Sequence, residues 1–425
     1  MSLILFASFF VLVLIGVPVA FSLGLSSIAA LLYQGQIPLI VSVQRLFTGT
    51  DSFPLMAIPF FMMAGALMNT GGISRRLVDF ASAVVGHKTG GLAYVTAMAS
   101  MLFAAVSGSG AATTAAIGGM MIPALIKKGY GKEFASALQA SSGSLGVVIP
   151  PSIPFVLFGF MSGVSIAELF LAGIVPGVLI AVLLMVVSYF MVKNGPSTLE
   201  ERVPFKEMVR RFFAALPALL MPAIILGGIF SGQFTPTEAA VIAVVYGFIV
   251  GIFVYRELNL ANIMEAMKDA VISNAVVLML LAFASTFSWI MASELIPQKI
   301  AALMSSIAPN QFIFLLLVTV FLLIIGTFLE TTPALILLVP ILVPVAQTFD
   351  VNLVHFGVLM VVNLAIGMVT PPLGITLFVA SNISKVPLAN LFRAIVPFIL
   401  CMIAALLVLT FVPQISLFVP ELFSK

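Results

Sequence analysis

Two short segments combine small residues with hydroxyl groups inside long apolar stretches. Residues 107–114 read SGSGAATT, and residues 326–332 read GTFLETT. Hard cations prefer hydroxyl, carbonyl and carboxylate oxygens, and a break in a helix frees backbone carbonyls to supply some of them. The two segments therefore favour the binding of a sodium ion, and helix N-termini beside them would suit an anionic substrate. Close helix packing through small residues is the structural alternative.

A pair of prolines follows each of these segments. Residues 147–152 read VVIPPS and residues 368–373 read MVTPPL, and small or polar residues precede both. Proline lacks an amide hydrogen and leaves an upstream carbonyl free, so a double proline interrupts a helix. We expect a discontinuous helix beside a binding site at each position, with the side-chain oxygens of Ser152 and Thr370 available. A simple kink is the alternative.

Glu330 is an acidic residue in an otherwise apolar region, between Phe328-Leu329 and Thr331-Thr332. An unpaired carboxylate inside a membrane is costly, so such a residue is a functional candidate by default. Glu330 could neutralise a bound cation or carry a proton. Pairing with an arginine, or a position at the membrane interface, is the structural alternative.

The two sets of motifs recur at a nearly constant distance along the chain. The offset is 331 − 113 = 218 residues between the threonine motifs, 371 − 150 = 221 between the prolines, and 296 − 73 = 223 between two basic, amphipathic segments at 72–77 and 295–300. A constant offset indicates an internal repeat. Paired interruptions of hydrophobic segments in two halves are typical of the binding site of a secondary transporter.

Composition defines the class of protein that carries these motifs. Hydrophobic residues make up 62% of the 425 residues and charged residues only 8%, so we expect an all-α polytopic membrane protein. The net charge of +3 is too small to indicate nucleic-acid binding. Cys401 is the single cysteine of the sequence, which excludes an intrachain disulfide. An enzyme is not expected. No Walker A motif occurs, and neither His87, in a polar loop, nor His355, at the edge of an apolar segment, suits a serine protease.

Several apolar stretches exceed the roughly 20 residues of one membrane crossing, so they must contain two crossings or a re-entrant hairpin. We expect a first repeat at 1–192, with its hairpin and broken helix at about 90–160. A charged connector at 193–211 follows, on the cytoplasmic side because of its basic excess. The second repeat spans 212–425, with its hairpin and broken helix at about 311–382. With both chain ends outside, each half crosses an odd number of times and the repeats are inverted.

At these residues the chain resembles the large membrane subunit of tripartite ATP-independent periplasmic (TRAP) transporters. The features that carry the resemblance cover nearly the whole chain, and as a set they are specific. They are SGSGA at 107–111, IPA at 122–124 with GYG at 129–131, IPPS at 149–152, GQFTPTEA at 232–239 and TPPLG at 370–374.

The resemblance implies a sodium-driven importer of an organic acid in the bacterial inner membrane. Sialic acid and C4-dicarboxylates are the substrate classes, and the overall similarity favours the sialic acid type. The mechanism implied is an elevator, in which a transport domain moves against a fixed scaffold domain. Sodium ions would be the coupling ions, with no organic cofactor. The implied partners are a small four-helix membrane subunit and a periplasmic substrate-binding protein.

The resemblance also implies which residues bind. It places sodium ions, partly through backbone carbonyls, at Ser107, Gly108, Ser109, Gly143, Gly146, Gly326, Glu330, Thr331, Gly367, Met368 and Thr370. It places substrate at Ser107, Ser109, Pro150, Ser152, Thr332 and Pro371.

Two other functions stay open. One is a stand-alone sodium–carboxylate symporter or antiporter that needs no binding protein. The other is an ion channel, although channels usually build their symmetry from several subunits.

Overall fold

A computed structural model describes residues 1–193 and 202–423, and the regular structure of these residues is entirely helical. The first half contains ten α-helices: α1 Ser2–Leu14, α2 Val19–Gln34, α3 Ile40–Thr48, α4 Ala57–Thr70, α5 Ile73–Val85, α6 Gly91–Ser107, α7 Gly110–Lys127, α8 Lys132–Gly143, α9 Ile153–Ser162 and α10 Ile166–Val192. Residues 202–423 of the second half contain another ten: α11 Phe205–Phe230, α12 Pro236–Ile249, α13 Leu260–Ser293, α14 Ile296–Ile307, α15 Gln311–Gly326, α16 Thr331–Thr348, α17 Leu353–Gly367, α18 Ile375–Ser384, α19 Leu388–Phe411 and α20 Gln414–Phe423.

The lengths and apolar character of the helices confirm the polytopic membrane class. Within the described residues, eight helices are long and apolar enough to cross a bilayer, or nine if α14 and α15, bent by 116° at their junction, count as one span. The start of α12 is capped by side chains that the sequence places there. The amide of Thr235 donates to Glu238 Oε2 at 2.8 Å, and the Glu238 amide donates to Thr235 Oγ1 at 3.3 Å, which is a capping box.

Five consecutive helices recur in the two halves with nearly constant spacing. The starts of α6 and α15 differ by 311 − 91 = 220 residues, those of α7 and α16 by 331 − 110 = 221, and those of α8 and α17 by 353 − 132 = 221. For α9 with α18, and α10 with α19, the differences are 375 − 153 = 222 and 388 − 166 = 222. The domain limits and inverted orientation stay predictions, and residues 194–201 of the predicted connector lie outside the described residues.

Each half supplies a helical hairpin and an interrupted helix. The hairpins are α6–α7 and α15–α16, and the interrupted helices are α8–α9 and α17–α18. The halves interlock, because α7 packs on α8 and on α18 of the other half, while α16 packs on α17 and on α9. A second group of helices packs mainly within itself: α1 with α2, α2 and α4 with α13, and α12 with α4 and α11.

Candidate functional site

The first hairpin reverses direction over three residues at its tip. Helix α6 ends at Ser107, Gly108 adopts a left-handed conformation with φ of 60°, and the extended Ser109 is the N-cap of α7. The Ser109 hydroxyl accepts from the Ala112 amide at 3.4 Å, and Ser107 Oγ lies 2.7 Å from Thr113 Oγ1. The tip therefore concentrates hydroxyl oxygens at a helix N-terminus.

The break between α8 and α9 touches this tip through glycines. A Cβ atom on Gly146 would clash with the carbonyl group of Ser109, and a Cβ on Gly143 would clash with the side chain of Thr114. Only glycine lets the two backbones approach this closely. The structure thus brings together the first group of residues that the resemblance assigned to a cation.

The second hairpin has a related tip. Helix α15 ends at Gly326, and the exposed Glu330 is the N-cap residue of α16. A Cβ on Gly367 would clash with the backbone of Gly326, so this hairpin also meets the broken helix of its own half without side chains between them. Thr331 is 1% exposed, and its hydroxyl has no hydrogen-bond partner within the described chain. The Thr331 hydroxyl is therefore available to bind a ligand.

Residues within the second break, between α17 and α18, contact both their own half and the first hairpin. The Met368 carbonyl accepts from the hydroxyl and the amide of Thr376, at 2.8 and 3.2 Å. The Met368 side chain reaches the first hairpin, because its Cε would lie 2.9 Å from a Cβ built on Gly110. Thr370 Oγ1 donates to the Ile366 carbonyl at 2.7 Å. The Thr370 hydroxyl is therefore engaged within its own turn.

Three residues that the resemblance assigned to substrate lie outside the cavity between the two hairpin tips. Ser152 is buried, and its hydroxyl donates to the Val147 carbonyl at 2.5 Å. Pro150 is buried and Pro371 is half-buried. Both Pro-Pro peptide bonds, which begin at these two residues, are cis.

A cavity of about 570 Å³ lies between the two hairpin tips and the facing helices α4 and α13. Six residues that the resemblance assigned to sodium or substrate line it: Ser107, Gly108, Ser109, Glu330, Thr331 and Thr332. The first turns of α7, α9 and α16 all contribute to its wall. Helix N-termini carry partial positive charge and unpaired amides, which favour anions. Among the described residues, no lysine, arginine or histidine lines the cavity.

The facing wall contains polar residues that the sequence analysis missed. Asn69 on α4, and Asp269 and Ser273 on α13, line the cavity. Asp269 lies at the edge of an apolar stretch beside Lys268, a position typical of an ordinary helix end. Cavity-lining residues on α13 recur at 269, 273, 276 and 280, which is one face of the helix. Only the four-residue spacing of the polar Asp269 and Ser273 was visible in the sequence, and it did not indicate a cavity.

His355, expected at the edge of an apolar segment, is the third residue of α17; it is 1% exposed, and its Nδ1 lies 2.6 Å from Ser416 Oγ. Neither residue lines the cavity. The serines of the first hairpin tip therefore share no cavity with this histidine.

The family of the DctM component of tripartite ATP-independent periplasmic transporters matches residues 6–415. The chain is 44% identical to the isethionate TRAP transporter permease protein DctMQ of Oleidesulfovibrio alaskensis, over 98% of this chain and 66% of that protein. It is 40% identical to the sialic acid large permease SiaM of Vibrio cholerae over 96% of each chain. It is also 40% identical to the C4-dicarboxylate large permease DctM of Pseudomonas aeruginosa over 94% of each.

Among solved structures, the YdaH transporter of Alcanivorax borkumensis shares the fold, with a TM-score of 0.66 at 17% identity over 90% of this chain and 89% of that one. That likeness concerns the fold alone. The match to the family over almost the whole chain and the identities near 40% agree with the resemblance seen in the motifs. The chain therefore belongs to the DctM family, the large permease component of TRAP transporters, and is a multi-pass inner membrane transporter subunit rather than an enzyme.

Proposed function

We propose that this subunit imports an organic acid together with sodium ions, and that the acid binds in the cavity between the hairpin tips. One observation carries the proposal: three helix N-termini line a cavity that has no basic side chain among the described residues. An organic anion can be held there by backbone amides and helix dipoles. Its remaining charge, and that of Glu330, would be balanced by cations.

Sodium ions would bind behind the two tips. The first site would use oxygens of Ser107, Gly108, Ser109, Gly143 and Gly146, which meet where α8 breaks. The second would use Gly326, Glu330, Thr331, Gly367, Met368 and Thr370. The orphaned hydroxyl of Thr331 and the carboxylate of Glu330 supply hard oxygens at the second tip. Occupied cation sites would fix the tips in the geometry that receives the anion, which couples the two fluxes.

Movement would follow an elevator mechanism. The hairpins and broken helices, α6–α9 and α15–α18, interlock across the two halves and would move as one transport domain. Helices α1–α4 and α11–α13 pack on one another and would form the scaffold. The cavity lies between these two groups, so a displacement of the transport domain would change which side of the membrane it faces.

A small four-helix membrane subunit and a periplasmic binding protein are the proposed partners. The test is uptake of labelled sialic acid and of succinate into proteoliposomes that contain this chain and the small subunit. A cognate binding protein and an inward sodium gradient are each supplied or omitted. We expect uptake only when both are present. Sodium-dependent uptake without the binding protein would replace this proposal with a stand-alone symporter, and ion currents without substrate would indicate a channel.

A further inference from the structure

Asp269 is a carboxylate of the cavity wall that takes no part in the proposed sodium sites or in the proposed binding of the anion. It lies on the face of α13 that lines the cavity, is exposed there, and makes no ion pair in the described part of the chain. Arg76 is engaged by Glu257 at 2.8 Å and by the Tyr255 ring at 3.8 Å, and it does not line the cavity. Lys268 does not line the cavity.

The packing of α4 and α13 places Asp269 near the depth of the hairpin tips. Leu258, just before α13, would lie 3.7 Å from a Cβ on Gly71, just after α4, so the two helices run antiparallel. Leu67 and Ala266 belong to one buried cluster. Asp269 lies about one turn beyond Ala266.

On α4, Gly65 lies a half turn beyond Leu67 in the matching direction. A Cβ on Gly65 would be 3.4 Å from Ser107 Cα, which is at the first tip. Asp269 and the first tip therefore lie at a similar depth, on opposite walls of the cavity.

A bound acid thus meets two walls of different chemistry. The hairpin wall offers helix N-termini and the buried, unpartnered hydroxyl of Thr331, which suit a carboxylate once the proposed sodium ion balances the charge of Glu330 on the same wall. The facing wall offers the carboxylate of Asp269, the amide of Asn69 and the hydroxyl of Ser273. Hydroxyl and ammonium groups can donate to these oxygens, whereas a second carboxylate would meet like charge with no basic side chain to offset it.

We propose that Asp269 selects organic acids that carry a single acidic group with hydroxyl or amino groups at the other end, and that it excludes dicarboxylates. This inference rests on the proposed function, because it assumes that the acid binds in this cavity. It names the substrate class that the site favours among those its relatives carry.

The experiment compares sodium-dependent uptake of N-acetylneuraminate, isethionate, succinate and malate in proteoliposomes with the small subunit and a binding protein. To remove selection by the binding protein, sodium-dependent binding of each labelled acid to the detergent-solubilised membrane subunits is measured in its absence. We expect the wild type to bind the two mono-acids in preference to the dicarboxylates. Asp269→Asn should raise the succinate-to-mono-acid ratio by about tenfold, the effect of about 1.4 kcal/mol.

Glu265→Gln is the matched control, because Glu265 lies one turn away on α13 and does not line the cavity. Its ratio should equal that of the wild type. Asn69→Asp adds a carboxylate to the same wall and should lower the ratio further, so the inference stays testable if Asp269→Asn fails to accumulate. An unchanged ratio in both cavity variants, or a wild type that prefers dicarboxylates, would overturn the inference and leave the proposed function standing. Absence of sodium-dependent uptake of any of the acids would overturn the proposed function itself.

Discussion

Glu330 combines two properties at the residue scale. Its carboxylate is exposed to the cavity, and it is the N-cap residue of α16 without capping the helix through its side chain. The positive end of the helix dipole favours the ionised carboxylate, while no basic side chain among the described residues of the cavity wall balances it. A cation bound at the second tip would supply the missing charge.

Glu330→Gln keeps the shape of the side chain and removes its charge. We expect the sodium concentration for half-maximal uptake to rise by about tenfold or more, the effect of about 1.4 kcal/mol of lost attraction. Uptake titrated with sodium measures it. Glu133→Gln is the control, because Glu133 lies outside the cavity at the start of α8. A wild-type sodium dependence in Glu330→Gln would reduce Glu330 to a structural residue.

Ser107→Ala tests the first tip in the same way. The substitution removes the hydroxyl that lies 2.7 Å from Thr113 Oγ1 and takes one hard oxygen from the proposed first cation site. Sodium affinity should fall several-fold while the protein accumulates normally. Ser136→Ala serves as the comparison, because the Ser136 hydroxyl only bonds a carbonyl of its own helix, that of Lys132 at 2.7 Å. Equal sodium affinity in the two variants would count against a first-tip ion site.

At the scale of elements, the contact between each hairpin tip and a helix break depends on missing side chains. Gly146→Ala should push the Ser109 carbonyl away, lower the melting temperature and abolish sodium-dependent uptake. Gly119→Ala in α7 is the matched control, since a Cβ there meets nothing within 4 Å, and alanine favours a helix by up to about 1 kcal/mol. Both quantities are measured by thermal unfolding in detergent and by uptake. Normal uptake by Gly146→Ala would contradict a tip held by this contact.

At the scale of the whole molecule, an elevator predicts that the cavity changes sides while the scaffold stays. Ala112 is an exposed residue of the cavity wall on the first hairpin, and Cys401 is the only native cysteine. In a Cys401→Ser background, Ala112→Cys should react with a membrane-impermeant maleimide from one side. Sodium and substrate-loaded binding protein should shift this reactivity to the opposite side. Ser231→Cys, exposed between α11 and α12 of the proposed scaffold, is the control and should not change sides. Reaction of Ala112→Cys from one side only, in a variant that still transports, would exclude the elevator.

The hairpins and broken helices were predictable because they require unusual residues. Gly108 with a positive φ and the paired prolines interrupt apolar stretches, and the repeat reinforces both signals. The wall formed by α4 and α13 was not predictable in this way. Asn69 lies near the end of α4, and Asp269 follows Lys268 at the edge of an apolar stretch, which are positions where polar residues usually meet solvent. Their role in the cavity appears only when α4 packs beside α13 and faces the tips.

The exchange of contacts between the halves, α7 on α18 and α16 on α9, bears on the origin of this molecule. A chain that consisted of the first repeat alone would leave α7 without α18 and α9 without α16. Two such chains could complete each other by reciprocal exchange, as in a swapped dimer. An ancestor encoded by a single, unduplicated gene would therefore have had to work as a pair of identical chains. A single polypeptide that carries both copies lets the two hairpins differ, and here one tip has serines where the other has a glutamate.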